Sequence, residues 1–212
     1  MERDPIIPPA SASLGSGNRP GLDFTAHARR LCEDLSARLS ELAHIDMRRV
    51  ALRICQVRRR GLYGVQATLT PLRFAGGELE TIRRGRRYTI QRLHDAEGRE
   101  MLYLLSFYLP RFLDHTLEEK LATVCHELWH IGTEFDGDLR RHSGRCYAHG
   151  PSERDYHAAM IELARRWLGL NPPAELYAFL DGSFRQLVAR YGRVYGIRIP
   201  TPRLIPQPRD VA

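Results

Sequence analysis

The segment that most constrains this chain begins at Thr116. Thr116-Leu117-Glu118-Glu119 is a capping box, in which the threonine hydroxyl and the carboxylate three residues on each satisfy an exposed backbone group at a helix start. It predicts a helix from Leu117 to about Ile131 that stops at Gly132. At about 100° per residue, with His126 at zero, Leu117, Leu121, Val124, Leu128 and Ile131 form a stripe between about 140° and 220°. His130 falls near 40° and Glu127 near 100°, both off that stripe. The helix must lay its apolar stripe against another element, and it then presents His126, Glu127 and His130 together on the remaining face.

His126-Glu127-Leu128-Trp129-His130 is an HExxH string. Histidines four apart stand one above the other on a helix, so both imidazoles reach one zinc ion, and the glutamate beside the first can act as a base on a metal-activated water. With 9 histidines and 14 glutamates in 212 residues, about 0.02 such strings arise by chance. The expected cofactor is therefore Zn2+, with His126 and His130 as ligands and Glu127 as the catalytic carboxylate. A catalytic zinc takes three protein ligands and keeps one position open. His149, in Ala148-His149-Gly150-Pro151, is the first candidate for the third, His142 the second, and Asp136, Asp138, Glu134 and Glu162 remain behind them. Cys125, near 260°, points elsewhere and reads as a small buried thiol.

The rest of the chain supplies an α+β frame. Residues 1–22 are rich in Pro, Ser and Gly without an apolar period and read as a disordered arm; residues 200–212 read as a Pro-rich tail without packed elements. A single domain spans 23–199, within the usual size for one core. Leu31, Leu35, Leu39 and Leu42 predict a helix over residues 24–44. Strands are expected over 49–57 and 63–74, paired as a hairpin, then over 87–93 and 100–112, with Pro110 marking the last as a candidate sheet edge. That strand, around residues 102–108, could receive an extended peptide by strand addition. A helix from near Ser152 carries Tyr156, Met160, Leu163 and Trp167 on one face, and a last helix runs from Asn171-Pro172 toward Tyr191, with a break at Gly182. The expected sheet is small and mostly antiparallel, with one N-terminal helix, the HExxH helix and two C-terminal helices.

No run approaches the roughly 18 apolar residues of a membrane span, and the start lacks a signal-peptide pattern, so the expected compartment is the cytoplasm and no membrane is expected as partner. Cys32, Cys55, Cys125 and Cys146 form no CxxC pair, which excludes a zinc ribbon and a disulfide scaffold. The net charge is +7, and 31 of the 32 basic residues are arginine. Arg48-Arg49, Arg58-Arg59-Arg60, Arg83-Arg84, Arg86-Arg87 and Arg165-Arg166 carry the alternative expectation, a nucleic-acid-associated binding protein with a structural or vestigial zinc site. No recognised nucleic-acid reader motif accompanies them.

The stretch from Thr116 to about Trp167 resembles a family of phage metallopeptidases and, more loosely, SprT-like and other minimal zincins. The match lies in His126-Glu127-Leu128-Trp129-His130, then Phe135-Asp136-Gly137-Asp138-Leu139-Arg140-Arg141, then His149-Gly150, with Tyr156 as the later aromatic. The metzincin pattern is excluded, because Thr133 stands where it needs glycine. The resemblance implies a minimal zincin-like fold and a zinc-dependent metallopeptidase acting on peptide or protein substrates, with His149 as third ligand. Glu127 would be the general base, and Tyr147 or Tyr156 the oxyanion donor. Asp136 and Asp138 would either hold a ligand histidine by its second nitrogen or form a plain Asp-Gly turn.

Overall fold

A computed structural model describes residues 21–57, 63–141 and 153–208 of the chain. Asp23 caps the first helix, its carboxylate accepting from the Ala26 N–H, and α1 (Phe24–Arg38) buries Phe24, Ala28, Leu31, Cys32 and Leu35. Leu39 turns the chain into extended backbone, so the 24–44 helix ends early and a 3-10 turn, Ser40–Leu42, seats the last leucine of the pattern. Leu22, assigned from sequence to the arm, is buried in the two-residue strand β1 (Leu22–Asp23).

Three strands make the central sheet: β2 (Val50–Gln56), β3 (Ala67–Pro71) and β6 (Tyr103–Leu109). Their order is β2-β6-β3, with β6 parallel to β2 and antiparallel to β3. Two expectations are corrected here. β2 and β3 form no hairpin, and β6 is the central strand rather than an edge. The run Tyr103 to Phe107 is buried throughout, as a strand covered on both faces must be. Pro110 lies beyond the last paired residue, Leu109, so it withholds no donor from the ladder. One face of the sheet (Leu52, Tyr103, Leu105, Phe107) belongs to the main core with the helices. The other (Ala51, Leu104) is closed by Leu72, Leu93, Met101 and Ile199.

A second sheet joins β4 (Glu80–Arg83), β5 (Arg86–Ile90) and β8 (Leu204–Pro206) in the order β4-β5-β8, all antiparallel. The tail therefore does contribute a paired strand, though an exposed one. It is held where Arg53 on β2 donates to the Ile199 carbonyl at 2.7 Å and the Thr201 hydroxyl at 3.0 Å, and β8 then pairs along the outer side of β5. β7 (Val194–Tyr195) closes the frame by running parallel to β1.

The HExxH segment is α2 (Leu117–Trp129), with both halves of the Thr116/Glu119 capping box formed. Leu121, Val124 and Leu128 are buried. α3 (Glu153–Gly169) buries Met160, Leu163 and Trp167, and the Trp167 indole N–H donates to Asp34 on α1 at 2.8 Å. The last expected helix breaks at Gly182, where φ is +102°, leaving 3-10 turns before it and α4 (Phe184–Tyr191) after it. The architecture is α+β. Among the described residues no helix is long and apolar enough to cross a membrane.

Lys120 is the chain's only lysine and is 1% exposed. Its Nζ donates to the carbonyls of Leu180 at 2.8 Å and Gly182 at 2.7 Å, tying α2 to the turn before α4. Burial pulls its pKa down to about 8, against the attraction of Asp114 and Asp181. Lys120→Met leaves those carbonyls without a donor and should cost about 1–3 kcal/mol in urea unfolding. The folded pKa lies below the unfolded value near 10.4, so unfolding takes up a proton between them. Wild-type stability relative to Lys120→Met should therefore rise as pH increases from about 8 to about 10.

Candidate functional site

α2 carries the histidines over the last turn before the helix ends. Its terminal geometry keeps His130 on the helical spiral at φ −67°, ψ −15°. The two imidazoles converge, with Nε2 of His126 and Nε2 of His130 2.9 Å apart and the rings nearly perpendicular, 81° between planes. Two nitrogens bound to one tetrahedral zinc stand about 3.3 Å apart, from zinc–nitrogen distances near 2.05 Å. The pair is therefore within a few tenths of an ångström of the spacing that a shared ion needs, and as a two-nitrogen donor set it fits zinc.

Glu127 turns toward β3 and is 7% exposed. Burial pushes its pKa up to about 7, opposed by a hydrogen bond from the Leu69 backbone N–H on β3. One turn earlier the Thr123 hydroxyl donates to Gln66 Oε1 at 3.0 Å, just ahead of the same strand. α2 thus lies beside β3. β6, the strand expected to accept substrate, is flanked by β2 and β3; the strand beside Glu127 is β3.

The chain then reverses. Ile131 pairs with Leu139 in an isolated bridge, Gly132 N–H donates to Asp138 O at 3.2 Å, and Arg140 N–H donates to His130 O at 2.7 Å. A β-carbon on Gly132 would stand 2.9 Å from the Asp138 carbonyl oxygen, so the close approach requires glycine. The Tyr103 hydroxyl braces the turn from the core, donating to Asp138 O at 2.8 Å and accepting from Gly137 N–H at 3.0 Å. Arg140 returns over the Trp129 ring, its guanidinium carbon 4.2 Å from the ring centre.

Asp136 and Asp138 form the turn itself, the second of the two roles that their sequence allows. Asp138 is buried and accepts from Gly76 N–H at 2.9 Å, Leu139 N–H at 2.8 Å and the Arg141 guanidinium at 2.9 Å. Asp136 accepts from the Asp138 N–H at 3.0 Å. Glu134 is exposed at the turn; Glu162 is also exposed and lines a groove with Trp129, Tyr156, Met160 and Leu163. Among the described residues, no group of three or more His, Cys, Asp or Glu side chains is placed to hold a metal. His142, Cys146, Tyr147 and His149 lie outside the described residues.

α3 brings Tyr156 against both histidines, its ring centre 4.9 Å from that of His126 and 6.2 Å from that of His130. Burial, and then the charge of Glu127, push the phenol above its ordinary range. Tyr156 thus belongs to the site, and its helical phase with Met160 and Leu163 was the sequence signal for the inward face. Cys125 is fully buried, and burial raises its thiol to about 12. The parts that sequence reasoning missed are Leu69, Gln66 and the Tyr103 brace. No local pattern links them to α2.

No protein-family model matches the sequence, and no curated protein or solved structure matches the chain at a significant level. Gly132→Ala should lower stability by about 1–3 kcal/mol by overpacking the turn, read as a fall in thermal midpoint. Gly137→Ala, at φ +95° with the Arg73 side chain 2.5 Å from the added carbon, should do the same.

Proposed function

We propose that this chain is a zinc-dependent metallopeptidase of the minimal zincin type, related to the phage metallopeptidases and acting in the cytoplasm on peptide or protein substrates. The observation that carries the reading is the 2.9 Å convergence of the His126 and His130 Nε2 atoms beside a buried glutamate held to β3. His126 and His130 would hold the ion. The third ligand is proposed from the segment between Arg141 and α3, with His149 ahead of His142. Zinc, when bound, supplies Lewis acidity to polarise the scissile carbonyl and to activate water.

The residues of the chain divide the remaining work. Glu127 takes the proton from the attacking water on its carboxylate and passes it to the departing amine. The Leu69 amide on β3 lies on the side of that carboxylate and favours its charged form. Tyr156, packed on both imidazoles, excludes solvent from their outer face and places a phenol near Glu127, where it could donate to a developing oxyanion. The three described cysteines are free thiols, as a reducing compartment requires.

Zinc content per purified chain and cleavage of an unstructured protein such as casein test the reading together. Wild type should hold about one zinc. Glu127→Gln should keep the metal and lose at least about a hundredfold in rate, whereas His126→Ala should lose both. Loss of zinc in His149→Ala but not His142→Ala would assign the third ligand. A zinc-free wild type under metal-replete conditions, or a Glu127→Gln protein of undiminished activity, overturns the proposal.

A further inference from the structure

The β4–β5 hairpin departs from what its own folding favours. Its two-residue turn is Arg84-Gly85, with φ of +50° and +73°, a geometry in which Asn-Gly or Gly-Gly is preferred and arginine is disfavoured. Arg83 and Arg86 flank that turn directly opposite each other, a like-charge cross-strand pair that weakens a hairpin. From Arg83 to Arg87 four of five residues are arginine. Arg87 reaches Glu80 at 3.9 Å, but among the described residues no carboxylate pairs with Arg83, Arg84 or Arg86. The contrast with Arg165 and Arg166, which bond Glu118 at 2.7 Å and Glu41 at 2.6 Å, is direct.

The ribbon also does little for the core. No residue of β4, β5 or β8 is fully buried, and Ile82, beside the tip, is 72% exposed. The root, by contrast, is tightly fixed: Gly76 N–H bonds Asp138, and Arg73 N–H donates to the Gly137 carbonyl at 3.2 Å. A stiff base, an exposed blade that β8 backs only as far as Arg87 and an uncompensated cationic tip are together the attributes of an arm that reaches into a polyanion. Arginine at that tip offers forked donors suited to phosphate oxygens.

We propose that the β4–β5 hairpin is a nucleic-acid-binding arm that engages duplex DNA through Arg83, Arg84 and Arg86. The two-stranded tip past the last contact with β8 fits the wide major groove of B-form DNA, whereas the deep, narrow major groove of A-form RNA excludes it. The contacts are to phosphates and independent of sequence. The arm is rooted on the turn that follows the HExxH helix, so DNA bound there lies on a segment continuous with the proposed catalytic site. The proposal stands whether or not the chain cleaves peptides.

The test is fluorescence anisotropy of the full chain on a labelled duplex of about 20 base pairs, over about 50–200 mM KCl. The triple variant Arg83→Ser/Arg84→Gly/Arg86→Ser should bind at least about tenfold more weakly, with a log K against log salt slope shallower by about two to three. Its thermal midpoint should not fall, since glycine suits the turn and the like-charge pair is gone. Arg83→Gln/Arg86→Gln, which leaves the turn residues untouched, should flatten the slope by about two. The control Arg165→Ser/Arg166→Ser/Arg190→Ser removes the same formal charge from paired arginines and should change the slope by less than about one. Equal losses in the control and the hairpin variants would reduce the effect to net charge and overturn the proposal. So would no duplex binding at the lowest salt, tighter binding to single strands or duplex RNA, or hairpin-dependent binding confined to anionic vesicles.

Discussion

The structure turns on the seating of α2 against the β2-β6-β3 sheet. Leu121, Val124 and Leu128 drive the helix onto the core, and everything polar on it is then placed by rotation alone. Lys120 is carried inward and must find the Leu180 and Gly182 carbonyls. Glu127, at the margin of the buried stripe, meets the Leu69 N–H. His126 and His130 come out half-buried, under Tyr156. Hydrophobic burial is non-directional, and here directional chemistry inherits its orientation from it.

What could be read from the sequence was local. The capping box, the i and i+4 histidines, the apolar phase of α3 and the glycine break before α4 are each written within a few residues, and each stands where its pattern placed it. Strand pairing was not local. Residues 63–74 follow β2 closely in sequence, yet both strands pair with β6, which lies far along the chain, and only the doubly apolar run from Tyr103 to Phe107 hinted at a central position. β8 was hidden for another reason: proline-rich composition argues against a strand interior, but an outer strand tolerates it. The site followed the same division. HExxH was legible, whereas the Tyr103 brace and the β3 contacts depend on pairings that no short window contains.

The turn after α2 links two features that the sequence keeps apart. Its carbonyl and amide groups are held from within by Tyr103, and from outside its Asp138 carboxylate grips Gly76, at the root of the arginine hairpin. Asp138 thereby joins the turn after the histidine-bearing helix to the ribbon that bears the positive charge. Asp138 so placed works as a clamp, because both of its carboxylate oxygens already accept from backbone or guanidinium donors.

The two marginal strands have a consequence in time. Among the described residues β1 pairs with β7, β5 has β8 on its outer side, and Arg53 on β2 finds its carbonyl partner at Ile199. Stretches made early in synthesis are thus completed by stretches made last. A nascent chain that has already produced α2 holds its histidines on a helix whose supporting frame is still open, and such long-range closure slows folding. The frame around the candidate site is thus completed by distant residues outside it. For a chain read as a protease, that delay separates being made from being armed.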